Sequence, residues 1–486
     1  MANKSMELLA DAWLAFFSQP SADLPQDNLE AISQIALRRI QIVNPSSAPE
    51  PLRSFYTRAS CQELVIAAAR LRTHGLFPPI LASQPGEILA SRLVLNWNVL
   101  LIREENQLVL VYQGVTSCDA VLIPGLNSLL IVCHIDFQRV AACVATLSRT
   151  PDFFRPSFKP RFGGYLVGHS RPYHCFYDGL PALECIRQEG QLSSRDLIFS
   201  KCDEAFVDVS SCLALEQEHQ RLDRDGLNQY CSAHNVYLLQ LGFWFNTRAQ
   251  DQVLRQLVAS VDEPMRQAAI QHSIINETGA IEALKHYQPL LWIGITGQKR
   301  CWIEQVNGTA ELLNTLHQFY PKLGIIFDGW TPPLTNSNYH RKEISADNKI
   351  IHKIIRRLNF KTRKNTFIVA GLPFADKIRI GLEADGFLAN YTSGSLVIAR
   401  ICGKPGVGHM GRRMMASKHQ HIHYRTSEPD PMVVRDVGEA STPTGYVNYS
   451  IPWQALYNEL IDVLAQIPIT PEQKPCRLIV PQHVDA

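Results

Sequence analysis

Residues 168–178 read Gly-His-Ser-Arg-Pro-Tyr-His-Cys-Phe-Tyr-Asp and gather two histidines, an arginine and an aspartate on one short segment. Moving a group onto a hydroxyl requires a base to take the hydroxyl proton, and imidazole or carboxylate serves that purpose. His174 and Asp178 stand four residues apart, so a single helical turn brings them together. Asp178 then orients His174 or acts as the base itself. Arg171 offers a permanent positive charge to an anionic acceptor or a departing phosphate. The bland alternative is a helix cap with Tyr173, Phe176 and Tyr177 packed around it. His134-Ile135-Asp136 is a sparser pair of the same kind, and ordinary polar packing explains it better.

A second group of residues suits phosphate. Gly294-Ile295-Thr296-Gly297-Gln298-Lys299-Arg300 follows an apolar strand and opens a helix. Gly294 and Gly297, either side of Thr296, let the backbone approach a ligand there, and Lys299 and Arg300 put charge beside a helix N-terminus, which itself favours anions. A solvated basic turn is an equal reading. The pattern GxxxxGK[ST] is absent, and the GxGxxG at 406–411 trails a helix and reads as a flexible loop. Ser393-Gly394-Ser395 places two hydroxyls around a glycine after another strand, which suits either an N-cap or a small phosphate nest. Gly371-Leu372-Pro373 follows a further strand and is either a frame for a base ring or a plain turn.

Three other features carry less. Residues 341–364 hold nine Lys or Arg against two acids, a local +7, which suits a solvated helix or an attraction to phosphorylated acceptors and anionic lipid headgroups. His419, His421 and His423 alternate, which on a strand puts three imidazoles on one exposed face, with no carboxylate at ligand spacing. Asp223-Arg224-Asp225 is a DxD without a clear strand before it.

The elements needed to position these groups are legible as periodicities. Residues 6–17, 29–42 and 61–73 carry apolar residues at three-to-four spacing and read as helices. Residues 87–135 are rich in apolar runs and read as antiparallel strands, with a hairpin at Glu104-Glu105-Asn106. From 136 to 288 short strands (165–167, 197–199, 205–207) alternate with helices (177–189, 249–261, 263–282). From 289 a βαβ unit (strand 290–295, helix 302–320, strand 323–327) is followed by helix 348–358, strand 367–370, helix 374–383, strand 386–389, a helix to Ile401 and a last helix 453–467. That alternation requires a parallel sheet with right-handed crossovers, and ligands of such sheets bind beyond the carboxyl ends of the strands.

Composition excludes other classes. The 486 residues are 46% hydrophobic and 19% charged, which is globular and of two or three domains' length. A balance of 47 Lys and Arg against 45 Asp and Glu gives no global case for nucleic acid. Twelve cysteines without a CxxC suggest buried reduced thiols in a cytoplasmic protein. The apolar stretch 8–17 lacks the flanks of a signal peptide, and 121–132 is too short to span a bilayer.

Residues 289–410 resemble the donor half of a GT-B glycosyltransferase, and within that superfamily the heptosyltransferase-like branch. Gly294, Lys299-Arg300 and Trp302 stand in the order of its first strand, loop and helix opening; Ser393-Gly394-Ser395 and Gly403-Lys404-Pro405-Gly406 match its late Ser/Gly element and Gly-x-Pro turn. Thr392 and Leu396 stand where heptosyltransferases carry an acid and a histidine, so the resemblance does not name the donor. It implies an α/β protein with two Rossmann-like domains facing across a cleft, plus an N-terminal helical extension and a β-rich segment. The expected division is a helical region 1–85, an acceptor-side α/β domain 86–288, a nucleotide-sugar domain 289–467 and a tail 468–486. It further implies an inverting, metal-independent transfer from a nucleotide-sugar donor, bound as substrate with no cofactor, to a saccharide, lipid-linked or protein hydroxyl. Lys299, Arg300, Ser393, Gly394 and Ser395 would hold the diphosphate, Asp328 would reach the ribose or sugar, and residues 371–373 would border the base. Polysaccharide assembly in the cytoplasm, with peripheral membrane contact through 341–364, is the default setting. The alternatives are a GT-B epimerase or hydrolase of nucleotide sugars, and a non-catalytic sugar-nucleotide-binding relative.

Overall fold

A computed structural model describes residues 41–43 and 61–481, apart from 81–83, 106, 124–127, 133–136, 155–157, 244, 246–248, 336, 392, 416–417 and 439–446. The helix expected at 6–17, most of that at 29–42, and His134-Ile135-Asp136 lie outside the described residues. The chain forms two compact units, residues 1–205 with 215–244 and residues 206–214 with 245–486. The boundary expected at 288/289 therefore falls near 244. The reason lies in side chains: Ser273 Oγ donates to Asp376 Oδ1 at 2.5 Å and Arg266 donates to the Ile401 carbonyl at 2.6 Å, tying the helices of 252–284 to the later chain.

The first unit holds two sheets. One contains β1 (Gln41–Val43), β2 (Leu76–Phe77), β3 (Gly86–Val94), β4 (Trp97–Glu104), β5 (Gln107–Gln113), β6 (Ala120–Ile123) and β7 (Ser128–Ile131) in the order β1-β7-β6-β5-β4-β3-β2. Every pairing is antiparallel except β1 with β7. The β3–β4 and β4–β5 hairpins turn through left-handed residues, Leu95 at φ 53° and Glu105 at φ 51°. The runs in β4 and β5 are apolar on both sides because both faces are covered. Leu101, Leu110, Tyr112 and Leu122 pack against Val140, Cys143 and Leu147 of the helix Phe137–Ser148. Leu93 of β3 packs instead with Leu166, Phe199 and Leu238 of the second sheet.

That second sheet is parallel: β8 (Arg161–Leu166), β9 (Ile198–Lys201), β10 (His219–Leu222) and β11 (Val236–Gln240), ordered β10-β9-β8-β11. β11 is an edge strand, and an open edge exposes unpaired N–H and C=O groups. Side chains of the antiparallel sheet close it. Leu238 N donates to Ser91 Oγ at 3.1 Å, Asn98 Nδ2 donates to Leu238 O at 2.8 Å, Gln240 N donates to Gln113 Oε1 at 3.2 Å, and Ser117 Oγ donates to Gln240 O at 2.9 Å.

The second unit is built on six parallel strands, β12 (Leu290–Gly294), β13 (Gly324–Asp328), β14 (Thr366–Ile368), β15 (Gly386–Asn390), β16 (Gly406–His409) and β17 (Thr426–Ser427), ordered β14-β13-β12-β15-β16-β17. One face packs Leu291, Ile293, Ile325 and Phe327 against Leu312, Leu316, Ile351, Ile354, Leu456 and Leu460 from three helices. A small antiparallel pair, β18 (Arg435–Val437) with β19 (Asn448–Ser450), follows. The chain is therefore α/β with two doubly wound parallel sheets and an antiparallel sheet beside the first.

Several local expectations change. Residues 205–207 are not a strand; they lead to the helix Val209–Leu213, capped by Asp208 through Ser211 N at 2.9 Å. The expected helix 263–282 breaks at Ser273 into Asp262–His272, Ile274–Thr278 and Ala280–Leu284. The basic helix begins ten residues early and spans Asn338–Arg357. Residues 406–409 are a buried strand rather than a loop. A Cβ at Gly406 would lie 2.2 Å from the Phe387 ring and one at Gly408 2.6 Å from Tyr391, so packing demands both glycines. Among the described residues the cysteines are free thiols, most of them buried, and no helix is long and apolar enough to cross a membrane.

Arg400 is fully buried, with NH2 2.8 Å from Asp262 Oδ1. Arg400→Met strands that carboxylate and is expected to cost about 3–5 kcal/mol in denaturant unfolding. Replacing both partners, Arg400→Met with Asp262→Leu, should recover most of the loss.

Candidate functional site

In chain order the six-stranded sheet runs third, second, first, fourth, fifth, sixth, so its switch point lies between β12 and β15. Ligands of doubly wound sheets bind beyond the carboxyl ends of the strands at that point. The carboxyl ends of five of these strands, with the loops after three of them, are latched to one another. The Gly371 N–H donates to the Trp330 carbonyl at 2.9 Å, joining the loops after β14 and β13. Asp347 takes the N–H of Trp330 on Oδ2 at 2.7 Å and that of Gly297 on Oδ1 at 2.9 Å, joining the loops after β13 and β12. Gln305 brackets Thr296 with two bonds of 3.1 Å. Asn390 Nδ2 donates to the Arg300 carbonyl at 2.8 Å and to the Tyr449 hydroxyl at 2.7 Å, and that hydroxyl also meets His409 Nδ1 at 2.7 Å.

Thr296, Gly297, Lys299 and Arg300 thus lie at the switch point, tied through Arg300 to Asn390 at the end of β15. Lys299 is exposed, and Arg300 is half-buried with a left-handed φ of 55°. Gly297 lies close under the helix Asn338–Arg357, where a Cβ would meet Ile350 at 2.9 Å. Gly371 takes φ 90°, and Leu372 and Pro373 are half-buried behind it.

Two predicted contacts are spent elsewhere. Ser395 is fully buried, and its Oγ meets His423 Nε2 at 2.9 Å, so this hydroxyl does not face a ligand. Gly394 is exposed beside it. Asp328 is buried with Lys377, whose Nζ donates to Asp328 Oδ1 at 2.5 Å, the Gly329 carbonyl at 2.9 Å and Thr331 Oγ1 at 2.9 Å. Asp328 therefore braces its loop from inside.

The alternating histidines are not a strand edge. Lys418–Gln420 is a 3-10 turn, His421 is buried, and the His421 and His423 rings lie 5.7 and 3.8 Å from the Tyr391 ring. Burial drives His409 down to about 3 and His421 to about 3, the latter helped by the Arg300 charge. Burial likewise raises Asp347 to about 6 against the two N–H groups that favour its charge.

In the first unit, β8 is the first strand and β11 the fourth, so the order β10-β9-β8-β11 puts that sheet's switch point between them. The loop after β8 carries the histidine cluster. Gly168, at φ 140°, lets it run past the Glu204 carbonyl, which a Cβ would approach to 3.1 Å. Residues Pro172–His174 and the π-turn Cys175–Gly179 set His174 Nδ1 2.7 Å from Asp178 Oδ2. Asp178 is 1% exposed and His174 15%, so the imidazole is the outer member. His169 lies 4.5 Å from the His174 ring, and burial first, then the charges of His174, Lys201 and Arg171, hold it well below its usual range. Arg171 is exposed, and Tyr173 stacks on Tyr177 at 4.6 Å.

Beside this loop, at the carboxyl ends of β9 and β10, lies a polar cavity of about 340 Å³ lined in part by Lys201, Asp203, Glu204, Asp223 and Asp225. The DxD borders it. A strand, β10, does precede that motif, and Asp223 Oδ1 caps the next helix through Gly226 N at 2.7 Å. Sequence reading missed Asp347, Lys377, Asn390, His409, Tyr449 and Lys201. Asp347 had one signal, as an acid inside a basic stretch; Asn390 had another, as a polar residue closing an apolar strand.

No protein-family model matches the chain, and no curated protein matches it in sequence. Among solved structures it is similar to a glycosyl transferase of family 9 from Veillonella parvula DSM 2008, with a TM-score of 0.34 and 10% identity over 55% of this chain and 86% of that one.

Asp347→Ala should unprotect the Gly297 and Trp330 amides by about 10–100-fold in hydrogen exchange, the weight of a bond to a charged acceptor. His409 and His421 fold neutral and must charge when the chain unfolds in acid. Their folded pKa values lie below the unfolded one, so their share of stability is whole above pH ~6.5 and is lost as pH falls toward 3. At pH 5 that share is about 2 kcal/mol lower per histidine than at pH 7. His409→Gln should remove one such step from a pH series of denaturant midpoints.

Proposed function

We propose that the chain is a glycosyltransferase that moves a sugar, with inversion, from a nucleotide-activated donor to a hydroxyl acceptor. One observation carries the reading: each unit has a doubly wound parallel sheet, and the loop at each switch point carries the charged groups such a transfer needs. The donor diphosphate belongs to the loop 296–300. Its N–H groups at 296 and 297 are taken by Gln305 and Asp347, so Lys299 and Arg300 supply the counter-charge through their side chains. Those cations stabilise the leaving diphosphate as the bond from the sugar carbon to the phosphate oxygen breaks. Residues 371–373 border the base.

His174 is the base. Asp178 at Nδ1 favours the tautomer whose basic nitrogen is Nε2, the atom that takes the acceptor proton. Arg171 and the polar cavity at the ends of β9 and β10 suit an acceptor rich in hydroxyl or charged groups.

Thermal unfolding against a panel of nucleoside diphosphates tests the donor site. A ligand at about a hundred times its dissociation constant adds about 2.7 kcal/mol of stability, and a flat response to every nucleotide refutes the reading. His174→Ala should lower turnover about 10²–10⁴-fold while the nucleotide response persists. Lys299→Ala should weaken that response and leave the His174 loop untouched.

A further inference from the structure

Residues 348–365 contain seven Lys or Arg and no Asp or Glu. All seven basic residues are exposed. Arg363 is engaged, donating to the carbonyls of Ile355, Arg356 and Leu358 at the end of the long helix. The other six, Lys349, Lys353, Arg356, Arg357, Lys361 and Lys364, leave that end of the second unit strongly cationic. Amid them Phe360 is 70% exposed at the start of the short helix Phe360–Lys364. Lys364 Nζ lies 4.3 Å over its ring.

The same Lys364, with Lys361, lines a cavity of about 460 Å³ together with His317, Gln318, Pro321 and Asn365. Asn365 precedes β14, and its Nδ2 donates to the Leu323 carbonyl just before β13 at 3.0 Å. The cavity therefore lies at the amino ends of the strands, the opposite end of the sheet from the loop 296–300 and the turn Ser393–Ser395.

We infer that this surface docks the protein on an anionic bilayer, with Phe360 entering the headgroup–acyl boundary and the Lys361–Lys364 cavity receiving a lipid phosphate. A largely exposed phenyl ring inside a cationic field gains from such a boundary, because the ring leaves water while the lysine stems stay along the surface and their ammonium groups stay at the phosphates. A nucleic acid would need the face of the ring for stacking, and Lys364 already covers one face. A chain with a net charge of +2 also offers no field outside this patch to follow a long polyanion. Docking by this end leaves the carboxyl-end loops of the same sheet uncovered.

The test is co-sedimentation of the full chain with vesicles of phosphatidylcholine alone or with about a third phosphatidylglycerol. Binding should require the anionic lipid and fall as salt rises. Lys361→Glu with Lys364→Glu should lower partitioning at least tenfold, at about fivefold or more per lysine. Phe360→Ser should lower it severalfold and Phe360→Leu should restore it, with thermal unfolding of each variant confirming that it folds. Equal binding to both vesicles, no binding to either, or no effect of these variants overturns the proposal. So does a cavity that takes inorganic phosphate in a lysine-dependent way while the vesicles stay unbound, or lysine-dependent binding of an oligonucleotide as tight as that of vesicles. None of these outcomes depends on whether the switch-point loops bind a nucleotide.

Discussion

Parallel strands are joined almost always by right-handed crossovers. When the first strand of a sheet stands inside it and later strands are added on both sides, successive crossovers must part to opposite faces. The place where they part cannot be filled by a helix, and a crevice remains at the carboxyl ends. Both units of this protein obey that constraint, at β8 with β11 and at β12 with β15. The two groups of residues whose types suit glycosyl transfer sit at those two places.

Geometry at the second crevice is held by buried polar groups rather than by loop sequence. Asp347, Asn390 and Tyr449 each bond to chain from different loops, so the ends of five strands behave as one piece. Burying Asp347 is unfavourable, which is why its carboxyl is raised to about 6, and two backbone N–H groups offset part of that cost. With those N–H groups consumed, the loop offers charge mainly through Lys299 and Arg300. The more familiar arrangement, an amide nest around a phosphate, is thereby weakened at residues 296 and 297.

The first unit solves a different problem. A four-stranded parallel sheet ends in the open edge of β11, which has no second strand partner among the described residues. Ser91, Asn98, Gln113 and Ser117 replace the missing partner with side-chain donors and acceptors. This explains polar residues inside apolar runs, such as Asn98 before Val99-Leu100-Leu101, and why the antiparallel segment belongs to the same compact unit as the histidine loop.

Periodicity and residue type alone were enough to identify the α/β class, the antiparallel stretch from 87 to 135, the βαβ pattern after 289, and the pairing of His174 with Asp178. Each depends on contacts within a turn or on alternation along one element, and such local terms are carried by the chain itself. Where local terms were silent, the reading failed. The strand at Gly406–His409 looked like a loop because its glycines answer to Phe387 and Tyr391, which approach from elsewhere in the chain. Ser395 and Asp328 looked available to a ligand, yet His423 and Lys377, distant in sequence, claim them. The histidines at 421 and 423 looked like one face of a strand until Tyr391 gathered them. A side chain's partner across the fold is set by which elements become neighbours, and that choice exists only once the sheets have assembled.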